Sequence, residues 1–413
     1  MNRYRFAILI AIIFALPGLS REIVVDPAGP VRTVRSALNA ATPGDTVRVR
    51  PGIYREGPLT IATPLTLLGE GWPVLDGEKK HQVLTVTADD VTITGMTIAR
   101  SGVSFMEDQA GIKVEEAARV VIADNRLDSN FFAIYLAKSS NSVVRGNRIR
   151  SDAATEASSG NGVHLWYCRD IDVYDNDVRG HRDGIYFEFV TGGDIHDNHS
   201  EGNLRYGLHF MFSDSCRYRG NTFTDNGAGV AVMYTRNVEM SGNRFLDNWG
   251  SAAFGLLLKE ISDSRISGNV FRNNSIALYA ENSNRVAVTH NDFLENGWGV
   301  KIMANCMDNR FSANNFIGNA FDVATNSRNN FSTFSGNYWS GYGGYDLDHD
   351  GSGDVPFRPV RLFSVLVESN PPTLILLRSL FVDLLDVAER VFPILTPETL
   401  IDGRPAMRRI SHD

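Results

Sequence analysis

Ser267-Gly268-Asn269-Val270-Phe271-Arg272-Asn273-Asn274 recurs as Thr289-His290-Asn291-Asp292-Phe293-Leu294-Glu295-Asn296, and again as Ser312-Ala313-Asn314-Asn315-Phe316-Ile317-Gly318-Asn319. Each copy carries an Asn, an aromatic two residues on and a second Asn five residues on. The first Asn advances by 22 and then 23 residues (269, 291, 314). A sustained period this short builds a solenoid, in which each unit buries its apolar face only against its neighbours.

Outward from this stretch, the first Asn falls at 125, 147, 176, 198, 221, 243, 269, 291, 314 and 337. Two longer steps mark insertions at Ser151–Gly160 and Trp249–Ala253. Three residues before each Asn stands a mostly apolar position (Ile122, Val144, Val173, Ile195), and two after it another (Leu127, Ile149, Val178, Phe223). These columns predict an all-β chain, a right-handed parallel β-helix of ~22–23 residues per coil, with the columns stacked inside. The Asn is expected to occupy the turn, tolerating left-handed backbone, and to bond the coils on either side.

A further column, small-apolar-any-apolar, begins at Gly162, Gly184, Gly207 and Gly229. Its second and fourth positions after the small residue must face outward, because side chains alternate along a strand. One outward row then reads His164, Tyr186, His209, Ala231, and the other Trp166, Glu188, Met211, Met233. Coils lie ~4.8 Å apart, so Glu188, Met211 and Met233 are expected as neighbours, with His209 beside Met211 and His164 extending the patch. Imidazole, thioether and carboxylate together suit a soft metal, copper(I) first. The same side chains could equally pack beneath a loop. His181, His196 and His199 read as solvated surface residues.

The chain has 413 residues, a formal charge of −8, 43% hydrophobic and 21% charged residues. That composition fits a folded protein and gives no electrostatic footprint for nucleic acid. Arg3, Arg5 and the apolar run Phe6–Leu16 predict an export signal over residues 1–20, and hence the periplasm or the exterior. Cys168, Cys216 and Cys306 fall in registers too far apart for a disulfide. A short helix over Thr33–Ala41 is expected to close the first coil, and the solenoid to run over 21–345.

Beyond it, Asp346, Asp348, Asp350 and Asp354 alternate within an Asp/Gly-rich loop and linker assigned to 346–370. Alternate carboxylates can surround calcium, or simply make Asp-Gly turns; Phe357 at the twelfth position excludes an EF-hand. After Pro371-Pro372, Thr373–Phe392 reads as an amphipathic helix with an apolar stripe at Leu377, Leu380, Phe381, Leu384, Leu385 and Phe392. It either caps the last coil or docks on a partner or membrane surface, and the tail through Met407-Arg408-Arg409 is expected to be mobile.

The Asn-x-Phe coils, Asn337-Tyr-Trp-Ser-Gly-Tyr342, Asp348-His-Asp350-Gly-Ser-Gly-Asp354-Val-Pro356 and the apolar C-terminal segment together resemble the NosD family. That resemblance implies a periplasmic, non-catalytic accessory role in assembling the copper–sulfide site of nitrous oxide reductase. It also implies work with an ABC-type permease (NosY), its ATPase (NosF) and the copper chaperone NosL, the C-terminal helix docking on the permease. The competing expectation is a carbohydrate-active β-helix enzyme, a lyase, hydrolase or epimerase. A glycosidase needs paired carboxylates, and Glu188 has none beside it in its row.

Overall fold

The computed structural model describes residues 20–391 and 400–411, apart from 105, 251–252, 328–329 and 378. The expected signal segment lies outside the described residues except for Ser20, and so does Phe392.

Among the described residues the strands form three sheets of 14, 12 and 13 members, each ordered coil after coil. The first runs from Glu22–Val25 to Phe331–Ser335, the second from Leu59–Ile61 to Phe321–Thr325, the third from Ile53–Tyr54 to Tyr338–Trp339. Every strand pairs in parallel with its equivalents one coil away, as where Ile122 meets Val144 and Ile149 meets Val178. The apolar columns stack inside as their spacing requires. Phe271, Phe293 and Phe316 lie face to face at 4.9 and 4.8 Å.

The Asn column is a continuous hydrogen-bond ladder. The backbone N–H and the side-chain amide of Asn269 both donate to Asn291 Oδ1 at 2.9 Å, and the amide also donates to Met240 O at 3.0 Å. One detail departs from expectation. The residue before each Asn takes the positive φ, as at Asp124, Asp175, Asp197, His290 and Ala313. The Asn is left to aim its own N–H at the next coil, and its preceding neighbour makes the turn. Beside the second Asn column the small residue is obligatory. A Cβ on Gly207 would stand 2.7 Å from Gly229 O and 2.9 Å from Asn226 Nδ2.

At the N-terminal end the helix Val34–Ala40 starts at Thr33, whose side chain accepts from Ser36 N at 3.2 Å, and it buries Val34, Ala37 and Leu38 over the first coil. Capping the open end in this way covers core that no further coil would cover.

The C-terminal end is built differently from the expectation. Val360 pairs with Val323, Asp402 with Phe334 and Ala406 with Tyr338, so the chain attempts one more coil with two long insertions in its turns. The first insertion is the Asp-rich loop. The second is a helical hairpin, Leu362–Ser369 and Leu380–Val391 joined through a 3₁₀ turn at Pro371–Leu376. The expected helix from Thr373 starts only at Leu380, because its first residues continue the tight 3₁₀ turn that Pro371 and Pro372, which supply no N–H, initiate. The basic tail is not mobile but docked. Asp402 is fully buried and accepts from Gly336 N (3.0 Å), Asn337 N (2.9 Å), Asn337 Nδ2 (3.0 Å) and Trp339 Nε1 (3.1 Å). A carboxylate thus ends the Asn ladder, standing where the next Asn oxygen would be. Ile410 N bonds Asn315 Oδ1 at 2.9 Å, and Arg409 pairs with Asp292 at 2.8 Å.

The three cysteines are free thiols within the core cluster. Burial pushes Cys168 up to about 11 and Cys216 up to about 12. Among the described residues no helix is long and apolar enough to cross a membrane.

Candidate functional site

Four neighbouring strands of the second sheet carry the candidate residues: Asn161–Trp166, Asp183–Glu188, Tyr206–Met211 and Ala228–Arg236. Their pairing sets His164 beside Tyr186, Tyr186 beside His209, Trp166 beside Glu188, Glu188 beside Met211 and Met211 beside Met233. Glu188, Met211 and Met233 therefore form one file on the outer face, each half-buried. Tyr186 presents its hydroxyl 3.7 Å from Met211 Sδ. Burial raises the Tyr186 pKa, and the charge of Glu188 adds to the effect, so the group stays a protonated donor.

The imidazole row is less open than alternation alone suggests. Tyr135, Tyr186 and His209 are buried. His164 is wedged between Tyr135 (ring centroids 4.5 Å) and Tyr186 (4.7 Å), with its Nδ1 3.0 Å from the Asn161 amide. Burial, helped by the charge of Arg182, pushes its pKa down to about 3. Tyr186 stands between it and His209, so the structure does not bring His164 to the thioethers. His181 differs from its expected exposure altogether. It is fully buried in the second Asn column, donating its backbone N–H to Asn203 Oδ1 at 3.1 Å, and burial lowers it to about 3. His196 and His199 do sit at the surface side, beside Asp197 and Glu201 at 2.8 Å each.

His209 is held by Tyr186 of its own row and by Asp183, Arg205 and Tyr206, which the repeat pattern did not single out. Its Nδ1 lies 3.5 Å from Asp183 Oδ2 and 3.2 Å from Arg205 Nη2, and Tyr186 and Tyr206 pack at 5.0 and 4.8 Å. Arg205 grips Asp183 with two bonds, at 2.9 and 2.6 Å. Burial alone would raise the Asp183 carboxyl, but the bonds from His209 and Arg205 outweigh it and hold it below the ordinary value. His209 Nε2 is buried without a hydrogen-bond partner. In the Nδ1–H tautomer the imidazole donates to Asp183 and keeps an unshared Nε2 lone pair, the arrangement in which carboxylates orient metal-ligating histidines. The other tautomer accepts from Arg205 instead.

Immediately after the donor file, each coil turns through a left-handed residue, and in four successive coils that residue is aromatic: Tyr167, Phe189, Phe212 and Tyr234, with φ of 51°, 55°, 48° and 56°. Their rings stack at 4.5, 5.2 and 4.9 Å. Left-handed backbone costs an L-residue roughly 1–2 kcal/mol. In flanking coils the same turn holds Glu116, Lys138, Glu260 and Asn282. The signal was present in the sequence, as a bulky residue five positions after each small one, but a turn position does not advertise exposure.

At the far end Asp346, Asp348 and Asp350 bring carboxylate oxygens within 4.8 Å of one another. Backbone amides share them: Asp346 accepts from Asp350 N and Gly351 N, and Asp354 from Leu347 N. Arg404 pairs with Asp350 at 2.5 Å. The helical hairpin uses its stripe on two sides. Leu377 and Leu385 pack with Phe363, Val367 and Val382 of the hairpin against Phe321 of the solenoid, while Leu380, Phe381 and Leu384 face outward. Capping and an open apolar face therefore coexist, on opposite sides of one element. Glu368 ties the hairpin down through Lys301 at 2.8 Å.

Fold and site together define a parallel β-helix whose outer face offers soft donors and aromatics and whose Glu188 has Trp166 and Met211, not a carboxylate, beside it. Its residues 76–160 match the right-handed β-helix region model, which fixes the hand. Residues 145–344 match the family described as periplasmic copper-binding protein (NosD). The chain is 32% identical over 85% of its length to the probable ABC transporter binding protein NosD of Pseudomonas aeruginosa, covering 86% of that protein. It is 30% identical over 87% of its length to the protein of the same name from Stutzerimonas stutzeri, again covering 86% of it. The chain belongs to the NosD family. A family 28 exopolygalacturonase from Yersinia enterocolitica superposes with a TM-score of 0.58 at 12% identity, over 78% of each chain; that likeness is one of fold.

Proposed function

We propose that this chain is a non-catalytic periplasmic scaffold that receives copper as cargo for the copper–sulfide site of nitrous oxide reductase. In this reading Met211, Met233 and Glu188 form the landing site, with His209 Nε2 as a fourth donor oriented by Asp183. The observation that carries it is the side-by-side pairing of Met211 and Met233 on a half-open face, two residues along the strand from His209, whose buried Nε2 has no hydrogen-bond partner. Two thioethers and an imidazole match copper(I) and leave harder ions poorly served. The names of the related proteins favour an ABC transporter as partner. We assign that role to permease NosY with ATPase NosF, reached through Leu380, Phe381 and Leu384, an apolar face larger than a solitary exposed residue requires. NosL is the assigned source of the metal. The Asp346–Asp350 carboxylates take a structural calcium, since a hard cation needs several convergent oxygens.

The test is competition of the purified chain against a calibrated copper(I) chelator. Met211→Ala with Met233→Ala weakens copper(I) at least tenfold, about 1.4 kcal/mol, and leaves the Asn ladder and folding unchanged. Equal affinity in the double variant would remove the landing site from this file.

A further inference from the structure

Toward the N-terminal end of the second sheet, the strands Ala110–Glu115, Phe132–Ala137 and Asn161–Trp166 hold a cleft of about 550 Å³. That is the size of a small-molecule site. The outer row that carries Glu188 further along reads Glu115, Ala137, Trp166 here, one residue per coil. Ala137 is the short one. Glu115 and Trp166 therefore stand two coils apart, roughly 9.5 Å, with only a methyl group between them. Lys113 lies next to Tyr135 in the adjoining row. The loop before the first strand brings Asp108, and the turns after the strands bring Glu116 and Lys138.

The polar groups come in both signs. Lys113 Nζ lies 2.9 Å from Glu115 Oε1, and Lys138 Nζ 2.8 Å from Glu116 Oε1. Ion pairs at a surface are held weakly and open readily to a third group. An organic anion would meet three carboxylates here, and an organic cation two ammonium groups. A neutral ligand rich in hydroxyl groups suits the set, because each hydroxyl both donates and accepts. The apolar wall narrows the class further. Trp166 packs on the Phe132–Tyr135 cluster and stays half-buried at the cleft. A broad indole beside a methyl floor takes the C–H face of a sugar ring, whose edge hydroxyls then reach the charged rim.

The cleft is built to bind and not to react. The hydrogen bond from Lys138, and its charge, hold the Glu116 carboxyl below its ordinary value, so it stays ionised. Burial, with the charge of Asp108 adding to it, raises Tyr135, which keeps its proton. Neither group is poised to exchange a proton near neutral pH.

We propose that this cleft is a non-catalytic subsite for one neutral sugar unit of a glycan, seated over Ala137 against Trp166, with its hydroxyl groups shared between the Lys113–Glu115 and Lys138–Glu116 pairs. It is separate from the copper landing site and does not depend on it.

The test is a saturation-transfer NMR titration of the full chain with two neutral probes, maltotriose and triacetylchitotriose. At least one binds, while the cationic glucosamine trimer and anionic trigalacturonate bind at least tenfold more weakly. Trp166→Ala weakens the neutral sugar at least tenfold. Ala137→Leu fills the dip from an outward position and does the same, with melting temperature and copper(I) affinity preserved. If Trp166→Ala fails to fold, Ala137→Leu decides alone. Absence of binding of both neutral probes by the parent chain overturns the proposal, as does a charged trimer that binds equally well. Unchanged binding in Ala137→Leu overturns it too, and a parallel loss of copper(I) affinity in that variant would make the dip part of the donor file. New reducing ends after incubation would replace a binding subsite with an active one. A parent chain that binds sugar but not copper(I) leaves the subsite standing and removes the landing site.

Discussion

The second sheet presents the same outer rows twice, to opposite ends. Across residues 161–236 those rows carry Glu188, Met211 and Met233, and the aromatic ridge beside them is open to water. Across residues 254–325 they carry Tyr279, Lys301 and Ala324, and the helical hairpin lies over them through Glu368 and the Phe321–Phe363–Val367 cluster. Backbone and register are the same in both. What differs is whether later chain returns to cover the face. A solenoid gives every coil an equal outer surface, so function is decided by which coils are left bare.

The comparison can be broken most forcefully at the covered end. Asp402→Ala leaves Gly336 N, Asn337 N, Asn337 Nδ2 and Trp339 Nε1 without their acceptor in a buried site. A destabilisation of about 3 kcal/mol or more is expected, while Asp402→Asn, which keeps one oxygen, loses much less. Hydrogen exchange should show the loss confined to the last coils and hairpin, with residues 161–236 still protected. Uniform loss along the solenoid would mean that the two ends are not independent.

Acid sharpens the comparison from the other side. His164 and His181, both in the open half, are held neutral with pKa values near 3 against 6.5 in the unfolded chain. The unfolded state therefore takes up protons first as pH falls, and stability present above 6.5 is lost progressively between 6.5 and 3. The slope approaches 1.4 kcal/mol per pH unit for each group. Below about pH 6 the open half should exchange faster than the covered half. His181→Asn, which restores an amide to the second Asn column, should halve that sensitivity. An acid profile identical to the parent's would show that the buried imidazole does not govern it.

The smallest effect concerns the loop. Chelation of calcium should lower the melting temperature by a few degrees and loosen the Asp346–Asp350 segment, leaving the open half untouched; a calorimetric trace indifferent to chelator would assign the loop to Asp-Gly turns alone.

Much of this was readable beforehand, and the reason is particular. The pairing of Glu188 with Met211 and of Met211 with Met233 followed from counting 22 and 23 residues, because in a solenoid sequence separation fixes spatial neighbourhood. His209 was placed in the right row but assigned the wrong environment. Alternation says that a side chain points away from the core; it does not say that Tyr186, Tyr206 and the Asp183–Arg205 pair will close over it. His181 was misread because its coil puts a histidine where others put Asn, and only the neighbouring ladder reveals the position as interior.

The sequence by itself determined the period, the three sheets, the inward columns and the order of the outward files, since all of these depend on separations of one coil. The tertiary structure alone decided where the solenoid stops and what remains exposed. Asp402 reaches Asn337 across 65 residues and two insertions, and no period connects them. Such a contact exists only because a ladder with a vacant acceptor site, a helical hairpin and a returning tail are brought together by the energy of burying them. The same return of chain covers one half of the second sheet and leaves the half that carries Met211 and Met233 bare.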